Sequence, residues 1–243
     1  MTQKPFVYYP RSVSPHPAAR FTLWLFCLLL FAPLQAQEQS VNPGINRNYQ
    51  HPDWRQWVQT FENPRREVYA KRKAIVAASD VRPGMIVADI GAGTGLFTRL
   101  FASEVAPTGK VYAVDIAGTF VENIVRTCQE QGLGNVEGIV NTPRETGLPD
   151  DSIDLAFVTN TYHHFEYPQS MLASIHRALR RDGRLIVIDF RRDPRVNSPW
   201  VVGHVRANED TVEREIRAAG FRLVADKPVL RSNYFLVFEK AGQ

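Results

Sequence analysis

The sequence predicts an α/β domain: a three-layer sandwich with helices on both faces of a mostly parallel, seven-stranded sheet whose C-terminal strand runs antiparallel. Three observations carry this expectation. Short apolar runs alternate with amphipathic helical segments, the pattern of right-handed crossovers between parallel strands. The first run stops abruptly in a glycine turn that leads straight into a helix. The last two runs, FRLVADK and NYFLVFEK, are close enough to pair antiparallel.

Each element follows from local chemistry. Residues 37–63 are polar and rich in Asn and Pro, with Trp54 and Trp57 as large anchors, and are expected to be a lead-in that folds back on the domain. Residues 63–79 carry an Asn cap, Pro at the first helical position and strong helix formers, so one helix is expected there. Val-Arg-Pro-Gly at 81–84 turns the chain into strand one, VADI, and Phe97, Leu100, Phe101 and Val105 then recur at helical spacing. KVYAVDI (110–116), NVEGIVN (135–141), DSIDLAFVTN (151–160) and GRLIVIDF (183–190) are the next four strands. Helices are expected at 118–132, 168–181 and 208–219, with a loop containing Trp200 and His204 between strand five and the last helix.

The 243 residues suit one domain (64–243) behind the lead-in and an N-terminal extension. Residues 1–36 carry Lys4, Arg11 and Arg20 without an acid, then an uncharged apolar run at 21–32, Pro33 and a small residue before Gln37. That is the layout of a secretory signal peptide, with an uncleaved N-terminal anchor as the alternative. Export, or membrane proximity through this segment, is therefore expected. Removing it leaves 26 basic and 25 acidic residues, so the net charge of +4 is no argument for a nucleic-acid partner. Cys128 is then the only cysteine, on the apolar stripe of a helix, and is expected to be core.

The wording of the glycine turn, VADIGAGTG at 87–95, narrows its chemistry. Gly91, Gly93 and Gly95 let backbone approach a ligand without side chains in the way. A dinucleotide fingerprint has its third glycine at the sixth position, which here is Leu96, and the Gly-Lys-Ser/Thr of a P-loop is absent. Another nucleotide-binding turn or a purely structural one stays open on these grounds. An acid before G-x-G-x-G, together with Asp115 twenty residues after Gly95 and Tyr-His-His after strand four, resembles the class I S-adenosylmethionine-dependent methyltransferases, most of all the small-molecule branch that includes quinone-biosynthesis C-methyltransferases.

The resemblance implies a Rossmann-like fold, S-adenosyl-L-methionine as cofactor and a small-molecule methyl acceptor. It implies a cofactor site formed by Asp89, Gly91, Ala92, Gly93, Thr94 and Gly95, with Asp115, Ile116, Asn141 and Asn160, all at or just after strand carboxyl ends. Asp115 would accept from the ribose hydroxyls and Asp89 would face the methionine ammonium. Where many relatives have an acid after strand three this chain has Asn141, so an adenine contact there competes with a plain turn residue.

His163 or His164 is the candidate base, with Tyr162 as orienter, although one of two adjacent histidines usually points away from a given site. His204 and Arg206 are weaker candidates for the acceptor wall. His163, His164, Glu166 and His204 match no strong ligand spacing, so no metal is expected. By fold analogy the N-terminal helix with Trp54 and Trp57 is expected to cover the cofactor, with plain core the slightly favoured alternative for the two tryptophans, Phe61 and Tyr69. The leader sits uneasily with a cytosolic cofactor, which keeps an exported, catalytically silent ligand-binding module on the same fold as the rival expectation.

Overall fold

Seven strands, β1 (Ile86–Ile90), β2 (Lys110–Asp115), β3 (Val136–Val140), β4 (Ile153–Thr159), β5 (Leu179–Phe190), β6 (Phe221–Asp226) and β7 (Asn233–Lys240), form one sheet in the order β3-β2-β1-β4-β5-β7-β6. All neighbours pair parallel except β7, which is antiparallel to both β5 and β6. The computed structural model describes residues 38–242. The signal or anchor expected at 1–36 lies outside them. Among the described residues no helix is long and apolar enough to cross a membrane.

Alternation along the strands builds two cores. Val87, Val111, Leu155, Phe157 and Ile186 face one side, where α3 (Arg72–Ala78) and α4 (Leu96–Val105) cover them with Ile75, Phe97, Phe101 and Val105. On the same side α5 (Gly118–Glu130) packs Ile124 and Cys128 against Ala113, so Cys128 is core as expected. Ala88, Ile90, Ala156, Leu185 and Val187 face the other side, under α6 (Pro168–Ala178) and α8 (Glu209–Ala218), which supply Leu172, Ile175, Val212 and Ile216.

Close packing at β3 is a test of this arrangement. A Cβ on Gly138 would lie 2.4 Å from Val121 Cγ1 and 2.9 Å from Val125 Cγ2 on α5. Gly138→Ala is expected to destabilise by about 1–3 kcal/mol, the usual effect of overpacking. A urea midpoint equal to wild type would contradict that contact.

Four elements differ from expectation, one of them the segment Pro199–His204, a short helix where a loop was expected. The lead-in contains a helix, α1 (Trp54–Phe61), capped by the Asp53 carboxylate, which accepts from the Arg55 and Gln56 amides. The single helix expected at 63–79 is two, α2 (Glu67–Ala70) and α3, broken at Lys71, where both flanking side chains are drawn to the loop before β7. Glu67 accepts there from the Arg231 and Ser232 amides, and Lys71 Nζ donates to the Val229 carbonyl. Strand five begins at Leu179, four residues early, because Leu179 leaves α6 directly to pair with Ile153.

Candidate active site

The sheet order reverses between β1 and β4, and ligands in open α/β sheets bind beyond the strand carboxyl ends at such a switch point. A cavity of about 480 Å³ lies there, within the roughly 300–1,000 Å³ usual for small-molecule and cofactor sites.

Its floor is the glycine turn. Gly91, Gly93 and Gly95 all have positive φ (72°, 56° and 76°), a backbone that L side chains rarely adopt. The Gly91 and Ala92 amides donate to the Val114 carbonyl, which stitches the turn to β2. Asp115 then pins it from the side, its Oδ2 accepting from the Gly93 amide at 2.8 Å and its Oδ1 from the Ala117 amide at 2.9 Å. Gly91, Ala92 and Thr94 line the cavity, as do Asp89, Asp115, Ile116, Asn141 and Asn160. Gly93 and Gly95 do not. A Cβ at Gly93 would touch Phe61, and one at Gly95 would collide with Ile124. Their part is to let the turn pass under the lid and over α5.

Two buried carboxylates face this space. Asp89 is pushed up to about 7, chiefly by burial and further by the Asp115 charge, against the Thr98 hydroxyl that donates to it at 2.6 Å. Burial likewise pushes Asp115 up to about 6, against its backbone donors. Among the described residues neither is ion-paired, so both are open to a cationic group of a ligand. Asn160 holds a left-handed φ of 49°, and its side-chain oxygen accepts from Asn233 Nδ2 at 2.6 Å, which fixes the strand-four end of the cavity.

At the other end, both histidines of the Tyr-His-His turn (residues 162–164, one turn of 3-10 helix) line the cavity, contrary to the expectation that one points away. His163 Nδ1 donates to the buried Asp189 carboxylate at 2.8 Å, and the His163 amide donates to Asp189 as well. Burial would raise Asp189, but His163 and the Phe190 amide hold it below the usual carboxylate range. His204, at the end of α7 (Pro199–His204), completes the group, with Trp200 stacked on its ring at 4.6 Å.

Burial, then the neighbouring His163 and His204, push His164 down to about 3. It is therefore neutral and a poor proton acceptor, which corrects its candidacy as base. Tyr162 is corrected too. Its hydroxyl points away from the cavity and donates to Glu215 at 2.8 Å, where Arg206 makes a bidentate pair with the same carboxylate. The group that orients His163 is Asp189, bonded to its Nδ1. Arg206 is withdrawn from the acceptor wall by the same pair. Glu166 is also elsewhere, accepting from Ser40 and Asn46.

The lead-in forms the roof. Trp57 and Phe61 line the cavity rather than a core, and no residue of α1 is buried. Tyr49 packs edge-on against His164 and tilted on Trp57, while Glu62 clamps Arg99 of α4 at 2.7 Å. Arg66, not singled out by the sequence, faces the cavity beside the Phe61 ring. Trp54 packs instead on Phe120.

Residues 88–187 match the methyltransferase domain family. The ubiquinone/menaquinone biosynthesis C-methyltransferase UbiE of Ectopseudomonas mendocina is 32% identical over 122 residues, 50% of this chain and 48% of that protein. The protein of the same name from Hahella chejuensis is 27% identical over 182 residues, 70% of this chain and 72% of that protein. At 32% identity the chain thus spans about half the length of its curated relative. A SAM dependent methyltransferase from Aquifex aeolicus has the same fold, with a TM-score of 0.69 at 24% identity over 77% of this chain and 98% of that one.

Proposed function

We propose that this chain is a class I S-adenosylmethionine-dependent methyltransferase whose acceptor is a small molecule. One observation carries the proposal: a glycine turn and two buried carboxylates, neither ion-paired among the described residues, meet in a single cavity that ends at a histidine held by an aspartate. A nucleoside with a cationic methionyl end satisfies all three demands. The donor supplies a methyl carbon, whose bond to sulfur breaks as a bond from the acceptor's nucleophilic atom forms, and the acceptor loses a proton.

The protein's part is positioning and proton handling. Asp115 accepts from the ribose hydroxyls, Asp89 faces the methionyl ammonium, Ile116 covers the base and Asn141 offers it an amide. Arg66 suits a carboxylate. His163 presents Nε2 to the acceptor end because Asp189 occupies Nδ1 and fixes the tautomer. The likeness to quinone-biosynthesis enzymes suggests an aromatic or enolisable acceptor, which fits the roof of Tyr49, Trp57 and Phe61. The N-terminal segment is proposed to export the chain or anchor it, and a reporter fused after residue 40 reads which side of the membrane the domain occupies.

Calorimetry with S-adenosylmethionine and with NAD(H) tests the class. Saturable binding of the first alone is expected, and methyl turnover then separates an enzyme from a silent binder. His163→Ala is expected to lower kcat by about 10²–10⁴ with the donor affinity nearly unchanged, the usual range for a lost acid or base. Tyr162→Phe is expected to keep kcat within a few-fold and to lose only about 1–2 kcal/mol of stability, since its hydroxyl serves Glu215. The reverse ranking of these two variants would return Tyr162 to the active site.

A further inference from the structure

We infer that His163, His164 and His204 form a binding site for one divalent transition metal ion of the zinc class, with an open position that takes an oxygen of the acceptor. Each ring offers one nitrogen, and the three lie within 4.8 Å of one another. Ring centroids are 4.3, 5.0 and 5.4 Å apart. Three imidazoles on a tetrahedral ion at about 2.0–2.1 Å put their nitrogens roughly 3.4 Å apart and their centroids about 5 Å apart, so the ring centroids already stand near the required spacing and the nitrogens need close by at most about 1.4 Å.

Independent features point to a ligand there. Asp189 accepts from His163 Nδ1, the carboxylate-histidine arrangement that orients metal-binding imidazoles and leaves Nε2 for the ion. Trp200, stacked on His204 with 13° between the planes, holds the second ring. His164 Nδ1 is buried and without a hydrogen-bond partner. All three rings line the cavity, so an ion held by three protein ligands keeps its remaining position towards the acceptor, the open form of a catalytic rather than structural site. The sequence conceals this set, because His204 stands forty positions beyond His164, and Glu166, which lies nearer in sequence, is tied to the lead-in.

Metal binding itself does not depend on the methyl-transfer proposal; only the identity of the oxygen ligand does. His163 serves either a proton or the ion with the same lone pair, so activity alone does not tell the two roles apart. The test is titration of the metal-stripped full chain with Co²⁺, followed by its visible bands, and with Zn²⁺ by calorimetry. One ion per chain is expected. His204→Ala is expected to weaken it by at least about 100-fold, and Asp189→Asn by about 10–100-fold, the usual effect of losing a group behind a ligand. S-adenosylmethionine affinity serves as the control for folding and is expected to stay within a few-fold in His204→Ala. Absence of Co²⁺ binding in a chain that binds S-adenosylmethionine would overturn the metal site alone. Equal Co²⁺ affinity in His204→Ala would overturn it as well. A chain that takes one Co²⁺ through these residues but binds no S-adenosylmethionine would leave the metal site standing and remove the methyl-transfer proposal.

Discussion

Gly91→Ala is expected to lower S-adenosylmethionine affinity by at least about 100-fold, because the added carbon displaces two catalytic segments at once and an error of about 1 Å in position can cost that much. The position has φ +72°, which already disfavours alanine. The larger effect is steric. A Cβ there would lie 2.1 Å from Thr161 Cγ2, 2.4 Å from Oγ1 and 2.7 Å from Cβ. Thr161 has little room to retreat, since its hydroxyl bonds the Thr159 carbonyl at 3.0 Å and the Gly91 carbonyl at 3.3 Å. It also opens the turn that carries His163 and His164. The alanine must therefore push the histidine turn outward or lift the glycine turn from β2. A second substitution tells which contact matters. Thr161→Gly removes all three clashing atoms, so the double variant is expected to recover to within about tenfold of wild type, with only the left-handed penalty of about 1–2 kcal/mol remaining. Calorimetry on the four proteins, with circular dichroism to check the fold, reads the coupling. A double variant no better than Gly91→Ala would break the proposed link between the two turns.

The same comparison explains which parts of the site were legible in the sequence. The glycine turn and Asp115 are local: an apolar run that ends in an acid or a glycine marks a strand carboxyl end, and the fold brings those ends to one edge. Asp189 carries the same mark, an acid closing the run Leu185–Ile188, and the signal that found Asp89 and Asp115 applies to it equally. Its partner was not legible, because His163 lies 26 residues away and meets it only through the adjacency of β4 and β5. His204 needs a further step, the return of the chain over the cavity after β5, which no periodicity records. The helix α1 was within reach: Trp54, Trp57, Val58 and Phe61 recur at helical spacing behind an Asp cap. Its Asn- and Pro-rich flanks masked it. Its apolar face covers a cavity rather than a core, so large aromatics there say nothing by themselves about which of the two they serve.

Acidification is expected to release S-adenosylmethionine and, in the ligand-free protein, to stabilise the fold, both through the buried pair at the cavity floor. Asp89 in the folded protein is pushed up to about 7 and Asp115 to about 6, against 3.8 for an ordinary aspartate. Between those limits the folded state holds protons that the unfolded state has lost, so stability falls as pH rises from about 4 to about 7. Asp89→Asn removes that penalty. It is expected to raise the Tm of the ligand-free protein at pH 8, by the equivalent of up to a few kcal/mol, and to give almost no gain at about pH 3, where the wild-type carboxyl is mostly protonated in both states. Binding has the opposite sign. A cationic methionyl group needs the ionised carboxylate, so a proton must leave Asp89 when the cofactor enters below about pH 7. From that group alone affinity is expected to fall roughly 25-fold between pH 7.5 and 5.5. Proton release is measured directly by calorimetry at pH 6.5 in buffers of different ionisation enthalpy. In Asp89→Asn the release attributable to this site disappears, the pH dependence flattens and affinity is low throughout. Wild-type affinity that is flat from pH 7.5 to 5.5 would mean that Asp89 does not face the cation, and would move the methionyl end of the cofactor to another part of the cavity.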